Sequence, residues 1–274
     1  MTKRLILEIP DLGLGDHLFH SHIPRIAKET KRFDEVYISQ HSRFRNDDNR
    51  RIVWEMNPYV DGFSDLQGVT CDLAKQVKKV SLEMSNGNKP LNNLLDEVML
   101  DYGLDDGKRW HEPEVYYKPK FVSDYNKIIL DPNFYSYVGD INKDDVFAHF
   151  KKNKIHLDAI MRIRNSKALY KKRNKEDVFI ETPALDDFCD LIFSASQLFC
   201  FTSGTATLAS AINKPAVVFF GKGQGSGFQH SKLHTYQLIE LSFKTQILNL
   251  LKSPYRFIRY KLIRPQCVLF SGRP

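Results

Sequence analysis

Short apolar runs alternate with segments of helical spacing along most of the chain. Residues 4–9 (RLILEI) are apolar except for the first residue and one Glu, as expected of a strand buried on both faces of a parallel sheet. A Gly-rich turn follows, and apolar residues then recur at helical spacing: Leu18, Ile23, Ile26 and Ala27. Residues 35–39 form the next strand-like run. This order predicts the opening β-α-β unit of a doubly wound sheet.

The same alternation returns in the second half of the chain. It predicts strands at residues 127–130, 178–181, 198–202 and 216–220, and helices at residues 143–153, 157–172, 186–196 and 206–212. The stretch between the two series mixes charges with Asn and Gly clusters, and only residues 91–102, before Gly103, predict a helix. We therefore predict an α/β fold with two Rossmann-like domains, residues 1–120 and 121–274, and a cleft between them.

The composition is that of a globular protein with an ordinary core, because 42% of the 274 residues are hydrophobic and 27% are charged. This balance excludes a disordered, collagen-like or coiled-coil chain. No apolar run approaches the roughly 20 residues of a membrane-spanning helix, and no signal-peptide core follows the first four residues. We therefore expect a cytoplasmic protein without a transmembrane segment.

The charge balance is basic, since Lys and Arg outnumber Asp and Glu by 40 to 33 and give a net charge of +7. Such a charge attracts phosphorylated substrates, nucleic acid or anionic lipid, but it is about as common in proteins that bind none of these. The four cysteines contain no CxxC pair, so they indicate neither a zinc site nor a disulfide framework: Cys71, Cys189, Cys200 and Cys267.

Two turns between a predicted strand and a predicted helix carry small residues. In residues 202–207 (TSGTAT), backbone amides at the helix start can approach a phosphate closely, although Ser and Thr are also ordinary helix caps. In residues 13–16 (GLGD), Asp16 either complements the helix dipole or faces the cleft as a general base. Each motif alone is weak evidence for function.

Together the two motifs resemble those of the two-domain glycosyltransferases of the GT-B fold, particularly the heptosyltransferase family (glycosyltransferase family 9). That family opens with a strand, a small-residue turn ending in Gly-Asp, and a helix, like residues 5–18 here. Its second domain carries Asp-Thr-Gly-x-x-His-Leu-Ala-Ala-Ala before a strand ending in Phe-Gly, like TSGTATLASA (202–211) and KPAVVFFG (214–221). The SGTATL string also resembles the donor loop of lipid A disaccharide synthase, another GT-B enzyme.

The resemblance implies roles for both motifs. Asp16 matches the family's catalytic base, which deprotonates an acceptor hydroxyl. The donor-binding segment matches Thr202, Ser203, Gly204 and Thr205, whose amides stabilise charge on the leaving nucleotide. GT-B enzymes generally need no metal, so the implied co-substrate is a nucleotide sugar, with no cofactor.

The sequence departs from the family pattern at two donor-facing positions. Thr202 and Thr207 stand where the family has Asp and His. Because the replaced residues face the donor sugar, we do not predict ADP-heptose as the donor.

Further candidates are weaker. Lys222 lies in a glycine-dense loop, residues 221–227, which is either a flexible surface turn or a mobile loop closing on the donor phosphates. Glu181 is a candidate partner for the nucleotide ribose. On the acceptor side the candidates are Gly15, His17, Arg43 and Arg45. A metal triad of His17, His20 and His22 is not favoured, because their spacing does not place all three on one helix face.

Basic residues also cluster in three groups, residues 43–51, 162–175 and 252–264, the last with interleaved aromatics. Most such runs are solvated faces, but they also suit a nucleic-acid backbone or an anionic membrane surface. Three hypotheses follow. The first is a glycosyltransferase with an anionic acceptor, such as the lipopolysaccharide core, working in the cytoplasm or peripherally at the inner membrane. The second is a bacteriophage enzyme that glycosylates hydroxymethylated cytosine of DNA in the host cytoplasm. The third is a non-catalytic nucleotide or nucleic-acid binding module.

Overall fold

The computed structural model describes residues 2–85, 90–134, 137–141, 143–163 and 178–242. Its strands are β1 (Arg4–Leu7), β2 (Glu35–Ser39), β3 (Gly62–Ser64), β4 (Ile128–Asp131), β5 (Ala159–Ile163), β6 (Phe179–Thr182), β7 (Gln197–Phe201), β8 (Val217–Phe220) and β9 (Thr235–Leu238). Its α-helices are α1 (Leu14–Leu18), α2 (Ile23–Glu29), α3 (Asp47–Arg50), α4 (Leu73–Ser85), α5 (Leu94–Asp101), α6 (Lys143–Lys152), α7 (Leu185–Ser194) and α8 (Gly204–Ala211). A π-helical turn, Arg51–Glu55, continues α3.

The strands form two parallel sheets, one in each half of the chain. The amino-terminal sheet has the order β1-β2-β3, and the carboxy-terminal sheet has the order β6-β5-β4-β7-β8-β9. Numbered from β4, the second order reads 3-2-1-4-5-6, which is that of a Rossmann sheet. The chain therefore reverses its direction of winding between β4 and β7, and ligands of such sheets lie beyond the carboxyl ends of the strands at that point.

Burial explains why the apolar runs become strands. Four of the five residues of β7 (QLFCF) are buried, because parallel strands are covered by helices on both faces. One cluster of buried apolar side chains extends through both halves, from Leu5 to Val218. A second cluster, around Phe150, Phe199 and Phe219, packs β4, β7 and β8 against α6. In the described ranges, no helix is both long and apolar enough to cross a membrane.

The predicted α/β fold with parallel sheets is confirmed, and several of its elements differ from the predicted ones. The single helix predicted after the first turn is two helices, α1 and α2, although Leu18, Ile23, Ile26 and Ala27 are all buried as predicted. The helix predicted at residues 157–172 is wrong over its first part, where the structure has strand β5. Pairing of β5 with β4 on one side and β6 on the other makes this segment a strand, because its own residues, AIMRI, do not distinguish strand from helix.

Parts of the sequence predictions lie outside the described residues. These are the rest of the predicted helix 157–172, most of the basic group 162–175 and the basic group 252–264. The predicted domain boundary at residue 120 lies in an extended segment before β4 and stays a prediction.

Candidate functional site

A cavity of about 320 Å³ lies between the two halves. The amino-terminal half lines it with residues from the start of α1 and from the loop that follows β2, among them Gly15, Asp16 and Arg45. The carboxy-terminal half lines it with loops that follow β4, β6, β7 and β8. The cavity thus lies at the carboxyl ends of both sheets, where the winding of the second sheet predicts a ligand.

The amino terminus of α8 lies at this cavity. Ser203 is its N-cap, and the Ser203 side chain accepts a hydrogen bond from the backbone N of Thr205 at 3.3 Å. The α8 terminus also meets α1 of the other half: a Cβ on Gly204 would lie 3.2 Å from the backbone N of Gly15. A side chain at either glycine would crowd the other helix and push the halves apart. Glycine at both positions therefore allows the starts of α1 and α8 to lie in close contact at one end of the cavity.

A buried carboxylate holds the turn beneath α8. Asp131 at the end of β4 is fully buried, and its Oδ1 accepts hydrogen bonds from the backbone N and the Nδ2 of Asn133, at 3.0 and 2.6 Å. Its Oδ2 accepts a hydrogen bond from the Thr205 hydroxyl. Burial raises the pKa of Asp131 despite these three donors. The network ties β4 to the start of α8 across the point where the winding reverses.

The raised pKa of Asp131 gives a prediction about stability. The folded protein holds the Asp131 proton more tightly than the unfolded chain, so this group adds stability below its unfolded pKa and loses it as the pH rises through the folded pKa. Asp131→Asn keeps the shape and a carbonyl acceptor without the charge. We expect the free energy of unfolding of Asp131→Asn, relative to that of the wild type, to increase as the pH rises above the ordinary titration range of an aspartate. Urea unfolding at each pH measures this difference, and a constant or falling difference contradicts the prediction.

Asp16 both caps a helix and lines the cavity. Its Oδ2 accepts a hydrogen bond from the backbone N of Gly13 at 3.1 Å, which fixes the first turn of α1. Burial and then the charge of Asp11 raise the pKa of the Asp16 carboxyl, whereas the bond from Gly13 and the charge of Arg45 lower it, with a net rise. The structure therefore agrees with the dipole-complementing role and also holds the carboxyl at the cavity.

His17 does not take part in the cavity. Its ring is fully buried, with Nδ1 accepting from Trp54 Nε1 at 3.0 Å and Nε2 donating to the Arg43 carbonyl at 2.8 Å. Burial lowers its pKa to about 4, so the ring is neutral. One nitrogen holds the π-helical turn and the other holds the loop after β2, so His17 does not belong to the proposed acceptor site.

The remaining predicted residues divide between the cavity and the surface. Thr202, Ser203, Gly204 and Thr205 all line the cavity, and the Thr202 hydroxyl donates to Gln224 Oε1 at 2.7 Å. Arg43, Glu181 and Lys222 are exposed and do not line it. Lys222 pairs through its backbone with Asp140 in an isolated bridge, and its role as a phosphate cation stays a prediction.

Several of the residues that line the cavity are not among those predicted from the sequence. They lie outside the two small-residue turns: Asn133, Phe134, Tyr137, Phe188, Gln224, Phe228 and His230. The turn DPN at residues 131–133 after a strand points to Asn133, and the glycine-dense loop of residues 221–227 contains Gln224. Within the described ranges, no group of three or more His, Cys, Asp or Glu side chains is placed to hold a metal ion.

No protein-family model matches the sequence, and no curated protein matches it. Solved structures do match its fold. The glycosyl transferase family 9 protein of Veillonella parvula superposes with a TM-score of 0.52 and 11% identity, over 91% of this chain and 89% of that one. The E. coli heptosyltransferase WaaC, solved with ADP, gives a TM-score of 0.55 and 7% identity over 91% and 99%.

A third match is the iron-containing dodecameric heptosyltransferase TibC of enterotoxigenic E. coli, in complex with ADP-D-beta-D-heptose. Its TM-score is 0.56 at 14% identity, and the alignment covers 86% of this chain and 62% of TibC. Identities this low show a shared fold and nothing finer. The resemblance to the GT-B glycosyltransferases of family 9 is thus confirmed at the level of the fold.

Proposed function

We propose that this protein is a glycosyltransferase that moves a sugar from a nucleotide-diphosphate donor to an acceptor hydroxyl. The observation that carries the proposal is the meeting of two features in one cavity. The capped amino terminus of α8, at the point where the second sheet reverses its winding, and Asp16 of α1 both line it. A diphosphate anchor and a base in one cavity suit group transfer between two bound substrates.

The donor is proposed to bind through the carboxy-terminal half. Backbone amides at the start of α8 attract the diphosphate, and the helix dipole adds to this attraction. The aromatic side chains of Phe134, Tyr137 and Phe188 line the cavity, and the planar base of the nucleotide can pack against them. The ADP and ADP-heptose complexes of the structural neighbours support a nucleotide-sugar donor. Thr202 and Thr207 speak against heptose as the transferred sugar, because they stand in place of the family's donor-facing Asp and His.

The reaction assigns one proton transfer to the protein. The Asp16 carboxylate takes the proton of the acceptor hydroxyl while the hydroxyl oxygen forms a bond to the anomeric carbon of the sugar. The bond from that carbon to the diphosphate oxygen breaks, and its electron pair leaves with the nucleoside diphosphate. The amides at the start of α8 stabilise the charge that develops there. A base whose pKa is raised by burial holds the proton better than an ordinary Asp.

The acceptor is proposed to be anionic, because Arg45 lines the cavity on the acceptor side and the protein carries a net charge of +7. Arg43 extends this basic character at the exposed surface beside it. A phosphorylated cell-envelope glycan meets this description. Hydroxymethylated DNA meets it too, and is kept as the competing acceptor of the test.

A donor and acceptor panel tests the proposal. The purified protein is incubated with UDP-glucose, GDP-mannose, ADP-glucose or ADP-heptose, and release of the nucleoside diphosphate is followed with lipopolysaccharide-core extract or hydroxymethylcytosine DNA as acceptor. We expect release that depends on one donor and is increased by one acceptor. Transfer to DNA would assign the phage-type activity. Binding of a nucleotide without release under any pairing would favour the non-catalytic module and contradict the proposal.

A further inference from the structure

Asp131 is a buried carboxylate that lies directly behind the proposed diphosphate anchor. Its side chain has no exposed surface, and in the described part of the chain no cation is paired with it. Its hydrogen-bond donors are neutral groups, namely the backbone and side-chain amides of Asn133 and the hydroxyl of Thr205. A buried carboxylate of this kind is costly to ionise, and a second negative charge brought close to it raises that cost further.

Among the described side chains, one other titratable group faces Asp131. It is the thiol of Cys200, because β7 pairs with β4 so that these two residues lie side by side. Burial, and then the charge of Asp131, raise the pKa of Cys200 well above its ordinary value, so the thiol stays neutral. On the side of β5, the Met161 carbonyl accepts a hydrogen bond from Asn133 Nδ2 at 3.4 Å. Asp131 is therefore the member of this described network whose charge changes with pH.

The contact between Asp131 and Thr205 can persist in both protonation states. Oδ1 accepts both bonds from Asn133, so a proton is added at Oδ2, which faces the Thr205 hydroxyl. When Asp131 is ionised, the hydroxyl donates to Oδ2. When Asp131 is protonated, Oδ2 donates to the hydroxyl oxygen instead, because a hydroxyl both donates and accepts. The network thus loses no hydrogen bond when the proton is added.

Thr205 connects this carboxylate to the cavity. It lies in the first turn of α8 and lines the cavity, and its backbone N is bonded to the N-cap residue Ser203. A diphosphate held at this turn is separated from the charge of Asp131 by one side chain. Charges repel over such a distance far more strongly inside a protein than in water. An ionised Asp131 therefore opposes the attraction that the α8 dipole exerts on the diphosphate.

We propose that Asp131 is a positioning residue that couples donor binding to its own protonation, so that the site takes up a proton when the nucleotide sugar binds. The inference rests on the proposed function, which supplies the diphosphate. It adds a proton that is bound with the donor and is released when the nucleoside diphosphate leaves. Burial already raises the pKa of Asp131 in the free protein, which brings its titration closer to neutral pH.

Calorimetry with a nucleotide sugar measures this coupling. The diphosphate of a nucleotide sugar is esterified at both ends, so it lacks the terminal phosphate group that titrates near neutral pH in a free nucleoside diphosphate. The Kd for UDP-glucose, GDP-mannose and ADP-glucose is measured at a series of pH values, in buffers of low and high ionisation enthalpy. For the sugar that binds best, we expect a roughly tenfold weaker Kd as the pH rises from the titration range of an aspartate, which corresponds to a rise of about one unit in the pKa of Asp131 on binding. The difference between the buffers should show uptake of protons.

Asp131→Asn copies the protonated state. Its amide nitrogen can donate to the Thr205 oxygen, and its carbonyl oxygen can accept from Asn133. We expect this variant to lose the pH dependence and to bind the donor about tenfold more tightly than the wild type at the alkaline end of the series. A purely structural role of Asp131 would instead weaken binding at every pH. Melting temperatures show that the variants are folded.

Thr205→Val gives a second test, and Thr205→Ser is its matched control. Valine removes the hydroxyl that stabilises the ionised carboxylate, so the pH at which the Kd weakens should move upward. Serine keeps the hydroxyl, and Thr205→Ser should titrate like the wild type. Asp16 is the other carboxylate of the cavity with a raised pKa. Asp16→Asn removes any contribution of that group and should leave the coupling to Asp131 in place.

The outcomes separate this inference from the proposed function. A wild-type Kd that does not change with pH overturns the coupling, and so does an Asp131→Asn protein with the pH dependence and proton uptake of the wild type. Uniform weakening in Asp131→Asn at every pH also overturns it. In each of these cases the donor still binds, and the proposed function stands. Wild-type protein that binds none of the nucleotide sugars overturns both.

Discussion

Asp16→Asn is expected to abolish sugar transfer while leaving the fold and nucleotide binding intact. The amide has the shape of the carboxylate, and its oxygen can still accept the hydrogen bond from Gly13 that fixes the first turn of α1. It cannot take a proton from an acceptor hydroxyl. Because a positioned general base contributes about 10²–10⁴-fold to a rate, we expect a loss of that size in kcat. Steady-state release of nucleoside diphosphate measures it, and calorimetry with the same nucleotide measures binding.

The pH dependence provides the control for this assignment. The net pKa of Asp16 is raised, so the acidic limb of kcat/KM should lie above the range of an ordinary aspartate. Asp11 is exposed, and its charge contributes to this rise. Asp11→Asn should therefore keep full activity at neutral pH and move the acidic limb to lower pH. Full transfer activity in Asp16→Asn contradicts the role of Asp16 as base, and so does an acidic limb of kcat/KM that stays in place in Asp11→Asn.

The parts of the fold that follow from the sequence are those in which local pattern and burial agree. Strands β2, β7 and β8 lie within a residue of their predicted positions. β7 and β8 are apolar runs, and in β2 the buried Val36 and Ile38 alternate with half-buried residues. The turns that begin α1 and α8 also follow from the sequence, since Gly and small hydroxyl residues at the end of a strand are typical of a turn into a helix. Both turns line the cavity.

The parts that do not follow depend on contacts between distant residues. Strand β5 is a strand because β4 and β6 pair with it, and its own residues do not distinguish strand from helix. The bond between Asp131 and Thr205 joins residues 74 positions apart. His17 and His230 illustrate the same limit at the site. Nothing in the sequence indicates that one ring has both nitrogens bonded and the other has one unused.

The glycine-dense loop illustrates how tertiary contact changes a local prediction. By composition it is a flexible turn or a mobile donor loop, but in the structure its end, Ser226–Phe228, packs on α4 of the amino-terminal half. The backbone N of Gly227 donates to Ser81 Oγ at 2.8 Å. Phe228 and His230, which line the cavity, follow directly after this contact. The loop therefore joins the two halves behind the cavity, and its glycines allow a close approach of backbones.

Gly227→Ala is expected to be strongly destabilising for this reason. A Cβ at Gly227 would lie 2.6 Å from the carbonyl oxygen of Val77, a backbone atom in the middle of α4 that cannot rotate away. The loop must leave the helix or the helix must shift, and we expect a loss of about 2–3 kcal/mol in the free energy of unfolding. Urea denaturation measures the loss. Nucleotide-sugar binding should weaken with it, because Phe228 and His230 move with the loop.

The neighbouring Gly225 separates a backbone collision from a side-chain collision. A Cβ at Gly225 would lie 2.9 Å from Ser81 Oγ, which is the end of a side chain and can be removed. Gly225→Ala should therefore cost less, and Ser81→Ala added to it should restore most of the stability that Gly225→Ala takes away. Ser81→Ala added to Gly227→Ala should restore little, because the Val77 carbonyl remains in place. Equal rescue of both glycine variants would show that the loop adapts to α4 and that close backbone contact is not what joins the two halves.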